Sequence, residues 1–227
     1  MPSSVRPFQT RYLEEHLRDA RAALEELRTH LTQLDVWSCW LADALGAGGR
    51  LLVAGNGGSA ALAGHLAAEL VGRFRGERPA FSALALHEAA TLTAIGNDYG
   101  YEETFARQVD AHGRDGDVLL ALSTSGRSAN LLRATERAQN LGVAAWALTG
   151  PGPNPLGDRA DDVIALDAPN AAAVQEAQQV AVHLLCLGFE HHLNRVAGAT
   201  SSSQRLGGAT SGCRTDDDSP APSWSGR

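Results

Sequence analysis

At 227 residues, with 44% hydrophobic and 20% charged residues and a formal net charge of −7, the chain has the composition of one globular domain with room for a tail. That charge balance excludes a basic footprint for nucleic acid. All 19 basic residues are arginine, which excludes lysine Schiff-base chemistry and a Walker-type phosphate lysine, so any phosphate must be held by backbone amides, hydroxyls or arginine.

The first 15 residues are polar and arginine-bearing, without the apolar core of a signal peptide. From residue 9 to 45 the pattern is helical. Leu13, Leu17, Ala20, Leu24 and Leu27 recur at three- and four-residue steps, and Leu31, Leu34, Trp37, Trp40, Leu41 and Leu45 continue the series. Gly46, Gly48 and Gly49 end it. This apolar face needs cover and is read in part as a subunit interface. Residues 1–49 are therefore taken as N-terminal helices attached to a core at 50–195.

Within the core, short apolar runs at 51–54, 81–86, 118–122, 144–148 and 163–166 alternate with helical stretches at 59–73, 101–111, 128–141 and 170–193. Alternation of this kind predicts an α/β fold, a parallel sheet with helices on both faces. Five strands fit a flavodoxin-like doubly wound sheet, whose ligands bind at the carboxyl ends of the strands. Residues 196–227 are rich in Gly, Ser, Thr, Asp and Pro, lack apolar spacing, and read as a disordered tail. Cys39, Cys186 and Cys213 form no CxxC pair, which suits a reducing cytoplasm without a disulfide framework. No apolar run approaches the roughly 18 residues that span a membrane.

Two polar turns fall at predicted strand ends. The first is Asn56-Gly57-Gly58-Ser59, followed on one helix face by His65 and Glu69. The second is Ser123-Thr124-Ser125-Gly126-Arg127-Ser128. Hydroxyls and free amide hydrogens at a helix N-terminus can cradle a phosphate without lysine. One hydroxyl is enough for a helix cap, and this turn has four. The last predicted helix carries Gln175, Gln179 and His183 among apolar neighbours, with Gln175 and His183 two turns apart on one side. Asn97-Asp98 reads as turn and cap chemistry before a helix. Arg73, Arg75 and Arg78 read as a solvated cluster, and His191 and His192 as cations near a helix C-terminus.

Taken together, GNGGSA…HLAAELVGRF, LTAIGNDYGYEETFARQV, GDVLLALSTSGRSANLLRA and VQEAQQVAVHLL resemble the phosphoheptose isomerases, single-domain members of the sugar isomerase (SIS) superfamily. The likeness runs from about Tyr12 to Leu193. It implies a flavodoxin-like SIS domain with an N-terminal helical extension, and a cytoplasmic homotetramer with active sites at subunit interfaces. It also implies conversion of sedoheptulose 7-phosphate to D-glycero-D-manno-heptose 7-phosphate. By this resemblance Glu69 and His183 are the catalytic acid/base pair. Asn56, Gly57, Gly58, Ser59, Asn97, Asp98 and Gln175 contact the substrate, and Ser123, Thr124, Ser125 and Ser128 hold its phosphate. His65, Glu69, Gln175 and His183 match zinc positions reported for some members.

The chain departs from the family pattern at Leu62 (commonly Asp), His87-Glu88 (commonly Thr-Asp) and Gln178 (often His). These changes bear on substrate fit and product stereochemistry, so an isomerase giving another heptose epimer is one alternative. A non-catalytic SIS protein that binds a replication initiator is a second, but such binders lack the catalytic pair. A sugar-phosphate sensor is a third, and no helix-turn-helix segment remains in the chain to serve it.

Overall fold

The computed structural model describes residues 10–203. Two helices, α1 (Arg11–Arg28) and α2 (Leu31–Gly46), precede the sheet. The continuous helical pattern expected here is broken at Thr29-His30, where the Thr29 hydroxyl donates to the Glu26 carbonyl at 2.8 Å and closes α1. The sheet comprises β1 (Leu51–Gly55), β2 (Ala83–Ala85), β3 (Val118–Ser123), β4 (Ala144–Thr149) and β5 (Asp162–Ala165). All neighbours are parallel, in the order β2-β1-β3-β4-β5. This is the doubly wound order whose switch point lies between β1 and β3. Both polar turns leave the sheet there.

Strand residues alternate between two cores, as a period of two requires. Leu51, Val53, Leu120, Leu122, Trp146 and Leu148 join one core with α1, α2, α3 (Gly58–Val71) and α8 (Ala171–Ser203). Leu52, Ala54, Leu119, Ala121, Ala145 and Ala147 join the other, under α5 (Ala106–His112), α6 (Ala129–Asn140) and α7 (Pro155–Arg159). Among these strand residues, bulky side chains dominate on the first face and alanines on the second. Trp37 of α2 stacks on Trp146 of β4 with centroids 5.0 Å apart, and its indole N–H donates to Asp162 at 2.7 Å, so a large apolar surface is buried with its polar atom satisfied.

Three local features differ from the sequence-based expectations. Helix α4 (Ala89–Tyr99), not among the predicted helices, takes in Asn97-Asp98, read as turn chemistry, and starts where Glu88 caps it: the Glu88 carboxylate accepts the N–H groups of Ala90 and Thr91 at 2.9 and 2.7 Å. A short α7 begins at Pro155 behind the Asn154 cap. Helix α8 runs on to Ser203, past the point where the tail was expected to begin, and residues 204–227 lie outside the described residues. With α8 prolonged, His192 is not near its end. It is buried, and Nε2 lies 2.8 Å from Asp35. Of the cysteines, Cys186 is a buried free thiol. Cys213 lies outside the described residues. No helix among the described residues is long and apolar enough to cross a membrane.

Candidate active site

β1 ends in a turn that only glycine can make. Gly57 has φ +57° and ψ −122°, a backbone that L side chains rarely adopt. At Gly58 a Cβ would run into the Gln175 carboxamide of α8. The glycines thus let the turn bend and let α8 approach it. Asn56 is fully engaged: its Oδ1 accepts from the Tyr101 hydroxyl at 2.8 Å and the Asn130 amide at 2.9 Å, and its Nδ2 donates to Asn130 Oδ1 at 3.0 Å. Ser59 is buried in the first turn of α3. Asn130 and Tyr101 were not singled out in the sequence. Both stand inside quoted motifs, but nothing in their spacing shows that they meet Asn56.

About two turns along α3, His65 Nε2 faces His183 Nε2 of α8 at 2.8 Å. The rings meet edge to face, with centroids 5.1 Å apart. Glu69 Oε1 lies 3.6 Å from the same His65 nitrogen. At 2.8 Å one Nε2 carries the hydrogen and the other accepts it, so the two imidazoles share a single proton position. The amide that reaches His183 is Gln179, at 3.1 Å, one turn away. Gln175 packs instead on Gly58. Glu69 and His183, 114 residues apart in sequence, are therefore linked through His65 between α3 and α8. Cys186, one turn beyond His183 on α8, is not a second nucleophile. Burial, reinforced by the Glu69 charge, pushes its thiol up to about 12.

The second turn leaves β3 and enters α6. The Ser123 hydroxyl oxygen accepts the Gly126 N–H at 3.0 Å, and the Ser125 oxygen accepts the Arg127 N–H at 3.3 Å. Gly126, at φ +63°, lies against Asn154. Ser128 is the N-cap residue of α6 but makes no side-chain cap bond. Simple capping therefore does not account for it, and its hydroxyl stands at the positive end of a 12-residue helix.

Other expected site residues are placed differently. Asn97 and Asp98 are exposed in the last turn of α4 and bond to each other at 2.8 Å. Of the departures from the family pattern, Leu62 is a core residue and Glu88 is the α4 cap. His87 lies over Gly64 on α3. Gln178 is fully buried, donating to the carbonyls of Leu148 at 2.9 Å and Ser123 at 3.4 Å, while its Oε1 has no partner. It braces the sheet beneath the second turn.

The zinc-type donor set is suitable in kind, with two imidazoles and a carboxylate adjoining. In arrangement, no group of three or more His, Cys, Asp or Glu side chains among the described residues is placed to hold a metal ion. The Nε2 atoms that would face an ion face each other.

Comparison with known proteins agrees with this fold. The profile of the SIS domain family matches residues 15–150. The chain is 54% identical over 196 residues to the phosphoheptose isomerase of Streptomyces coelicolor, covering 82% of this chain and 84% of that one. It is 41% identical over 182 residues to the phosphoheptose isomerase of a Bradyrhizobium species, covering 78% and 92%. Among solved structures, a phosphoheptose isomerase from Francisella tularensis superposes with a TM-score of 0.75 at 34% identity, covering 79% of this chain and 97% of that one.

Proposed function

The chain belongs to the SIS domain family, and from that premise we propose that it is an aldose–ketose isomerase converting sedoheptulose 7-phosphate to D-glycero-D-manno-heptose 7-phosphate. The observation that carries the reading is the Glu69–His65–His183 array held between α3 and α8. The names of the relatives, all phosphoheptose isomerases, support the substrate class.

The reaction moves one hydrogen from C1 to C2. In the proposed mechanism the Glu69 carboxylate takes a proton from C1 while His183 gives one to the C2 carbonyl oxygen, leaving an enediol. His183 then takes the proton from the C1 hydroxyl, and the Glu69 carboxyl returns its proton to C2. Each group ends as it began, so no other reactant is needed. His65, between the two, sets the tautomer of His183 by sharing one hydrogen with it. The Ser123–Ser128 turn takes the 7-phosphate, with Ser128 and the α6 N-terminus as donors and Thr124 and Ser125 beside them.

Zinc enters the proposal as an ion whose ligands would be His65, Glu69, Gln175 and His183, once the two imidazoles turn their Nε2 atoms from each other toward it. When bound, such an ion would polarise the substrate carbonyl. Assembly as a homotetramer is proposed as well. It is supported by the apolar residues left exposed along α1 (Tyr12, Leu13, Leu17, Leu24), by Leu31, and by α4, none of whose residues is buried in the single chain. A partner would also give Asn97 and Asp98 something to face. The non-catalytic alternative is not favoured, because both members of the acid/base pair are present. The other-epimer alternative loses its basis in Leu62 and Glu88, which serve the core and a helix cap.

The test is incubation of the protein with sedoheptulose 7-phosphate, with and without chelator, followed by NMR of the product. A manno-configured heptose 7-phosphate is expected. No product under either condition would sink the proposal, and light scattering on the same sample measures the assembly.

A further inference from the structure

The loop after α3 makes a set of contacts that the mechanism above does not use. Arg78, read from the sequence as one of three solvated arginines, has a side chain only 8% exposed. Its guanidinium lies against the rings of Phe81 and Phe189, 5.5 and 5.6 Å from their centroids, and those rings meet each other edge to face. From there it donates to the carbonyls of Glu69 at 2.5 Å, Leu70 at 2.9 Å and Pro79 at 2.9 Å. Its Nε faces Glu190 Oε1 at 3.4 Å. The Glu190 carboxylate also accepts the backbone N–H groups of Phe74 and Arg75 at 3.2 Å and of Gly76 at 3.3 Å.

Both ends of this clamp touch the acid/base pair. The last carbonyls of a helix have no partner within it, and here the arginine fork takes two adjacent ones, the first belonging to Glu69 itself. Phe74, whose N–H is held by Glu190, lays its ring on His183 with centroids 5.3 Å apart. Glu190 follows His183 on α8 by two turns, about 10.5 Å along the axis, so the two share one rigid element. An ion pair buried like this is a poor device for stability, because desolvating both charges offsets their attraction. Its use here is geometric.

We infer that Arg78 and Glu190 are positioning residues for the isomerisation. Their pair ties the Glu69 peptide of α3 to α8 and holds Phe74 against the His183 ring, which sets the gap across which the two groups act. This inference rests on the roles proposed above for Glu69 and His183.

The experiment compares the wild type with Arg78→Lys and Glu190→Gln. Lysine keeps the charge but lacks the planar fork that spans two carbonyls. Glutamine keeps the size of Glu190 and loses its charge. Two readouts are taken on each protein: turnover of sedoheptulose 7-phosphate, and the imidazole signals in a carbon–proton correlation spectrum. His183→Asn identifies the His183 signal, and His16 and His30 on the N-terminal helices serve as remote references. In both variants kcat is expected to fall about tenfold to a hundredfold, as for a small misplacement of reacting groups, with KM within about twofold. The His183 signal moves while those of His16 and His30 stay. An unmoved His183 signal with near wild-type kcat would overturn the inference. So would loss of all imidazole dispersion together with all activity in both variants, which marks a purely structural pair. A wild type that leaves the sugar phosphate unchanged would remove the enzymatic reading instead, and the His183 signal alone would then decide whether the clamp orients that ring.

Discussion

The two polar turns at the ends of β1 and β3 look alike in sequence and use their polar atoms differently. In the first, the Asn56 carboxamide is bound on both sides by Tyr101 and Asn130, and Gly58 is covered by Gln175. That turn is a closed mount, and the reactive groups stand behind it on α3 and α8. In the second, Ser123 and Ser125 accept N–H groups of their own turn, but Ser128 leaves both its hydroxyl and the α6 N-terminus free. That turn is open on the side where a ligand would enter. On the proposed function, adjacent strand ends of one sheet are specialised, one to hold the helices of the acid/base pair and the other to receive the phosphate.

If this division is right, substitutions on the two sides separate in kinetics. The largest effect is expected at Glu69→Gln: turnover falls by about 10²–10⁴, the range of a lost general acid–base group, while inorganic phosphate still raises the melting temperature. Unchanged turnover in that variant would remove Glu69 from its role. Ser128→Ala should do the reverse. Loss of a hydrogen bond to a charged group is worth about 1.5–3 kcal/mol, so KM rises about tenfold to a hundredfold with kcat little changed. Initial-rate kinetics over a substrate series distinguishes the two patterns, and a fall in kcat alone at Ser128 would break the comparison. Asn130→Ala tests the closed mount. It leaves the Asn56 amide without its partner, and denaturant melts should show a loss of about 1–3 kcal/mol.

The smallest effect is a pH dependence on the α3 side. Burial alone would raise the Glu190 carboxyl, but the N–H groups of Arg75, Gly76 and Phe74, with the Arg78 charge, outweigh it and hold its pKa below the ordinary 4.5. A carboxylate whose folded pKa is depressed adds stability above its unfolded pKa and loses it as pH falls through the folded value. Wild-type stability is therefore expected to decline below about pH 4.5, and that of Glu190→Gln to decline less over the same window. Equal acid sensitivity in the two proteins would mean that Glu190 contributes nothing there.

The sheet was legible because its strands are short apolar runs and its turns are glycine and serine at strand ends. Those signals are local. What was not legible depends on partners far apart in sequence. Arg78 looks like any arginine near a loop until Glu190, 112 residues on, closes over it. Asn56 and Asn130 are separated by 74 residues and find each other only because β1 and β3 are adjacent. Helical spacing alone put Gln175 on the same side as His183, but the side chain that reaches the imidazole is Gln179, one turn away. Glu88 shows the opposite case. Its position suggested substrate specificity, and its local bonds make it a cap.

Helix α4 buries none of its residues, and its first turn hangs on the Glu88 carboxylate. A segment anchored so lightly opens without the sheet opening, so its amides should exchange with deuterium long before those of β1 or β3. Substitutions on its outer surface also move global stability little. The domain therefore has a soft margin beside a hard core. Apart from Leu92, which packs on the second core, sequence can drift along residues 89–99 without endangering the fold, which leaves that margin free to adapt to whatever surface it meets.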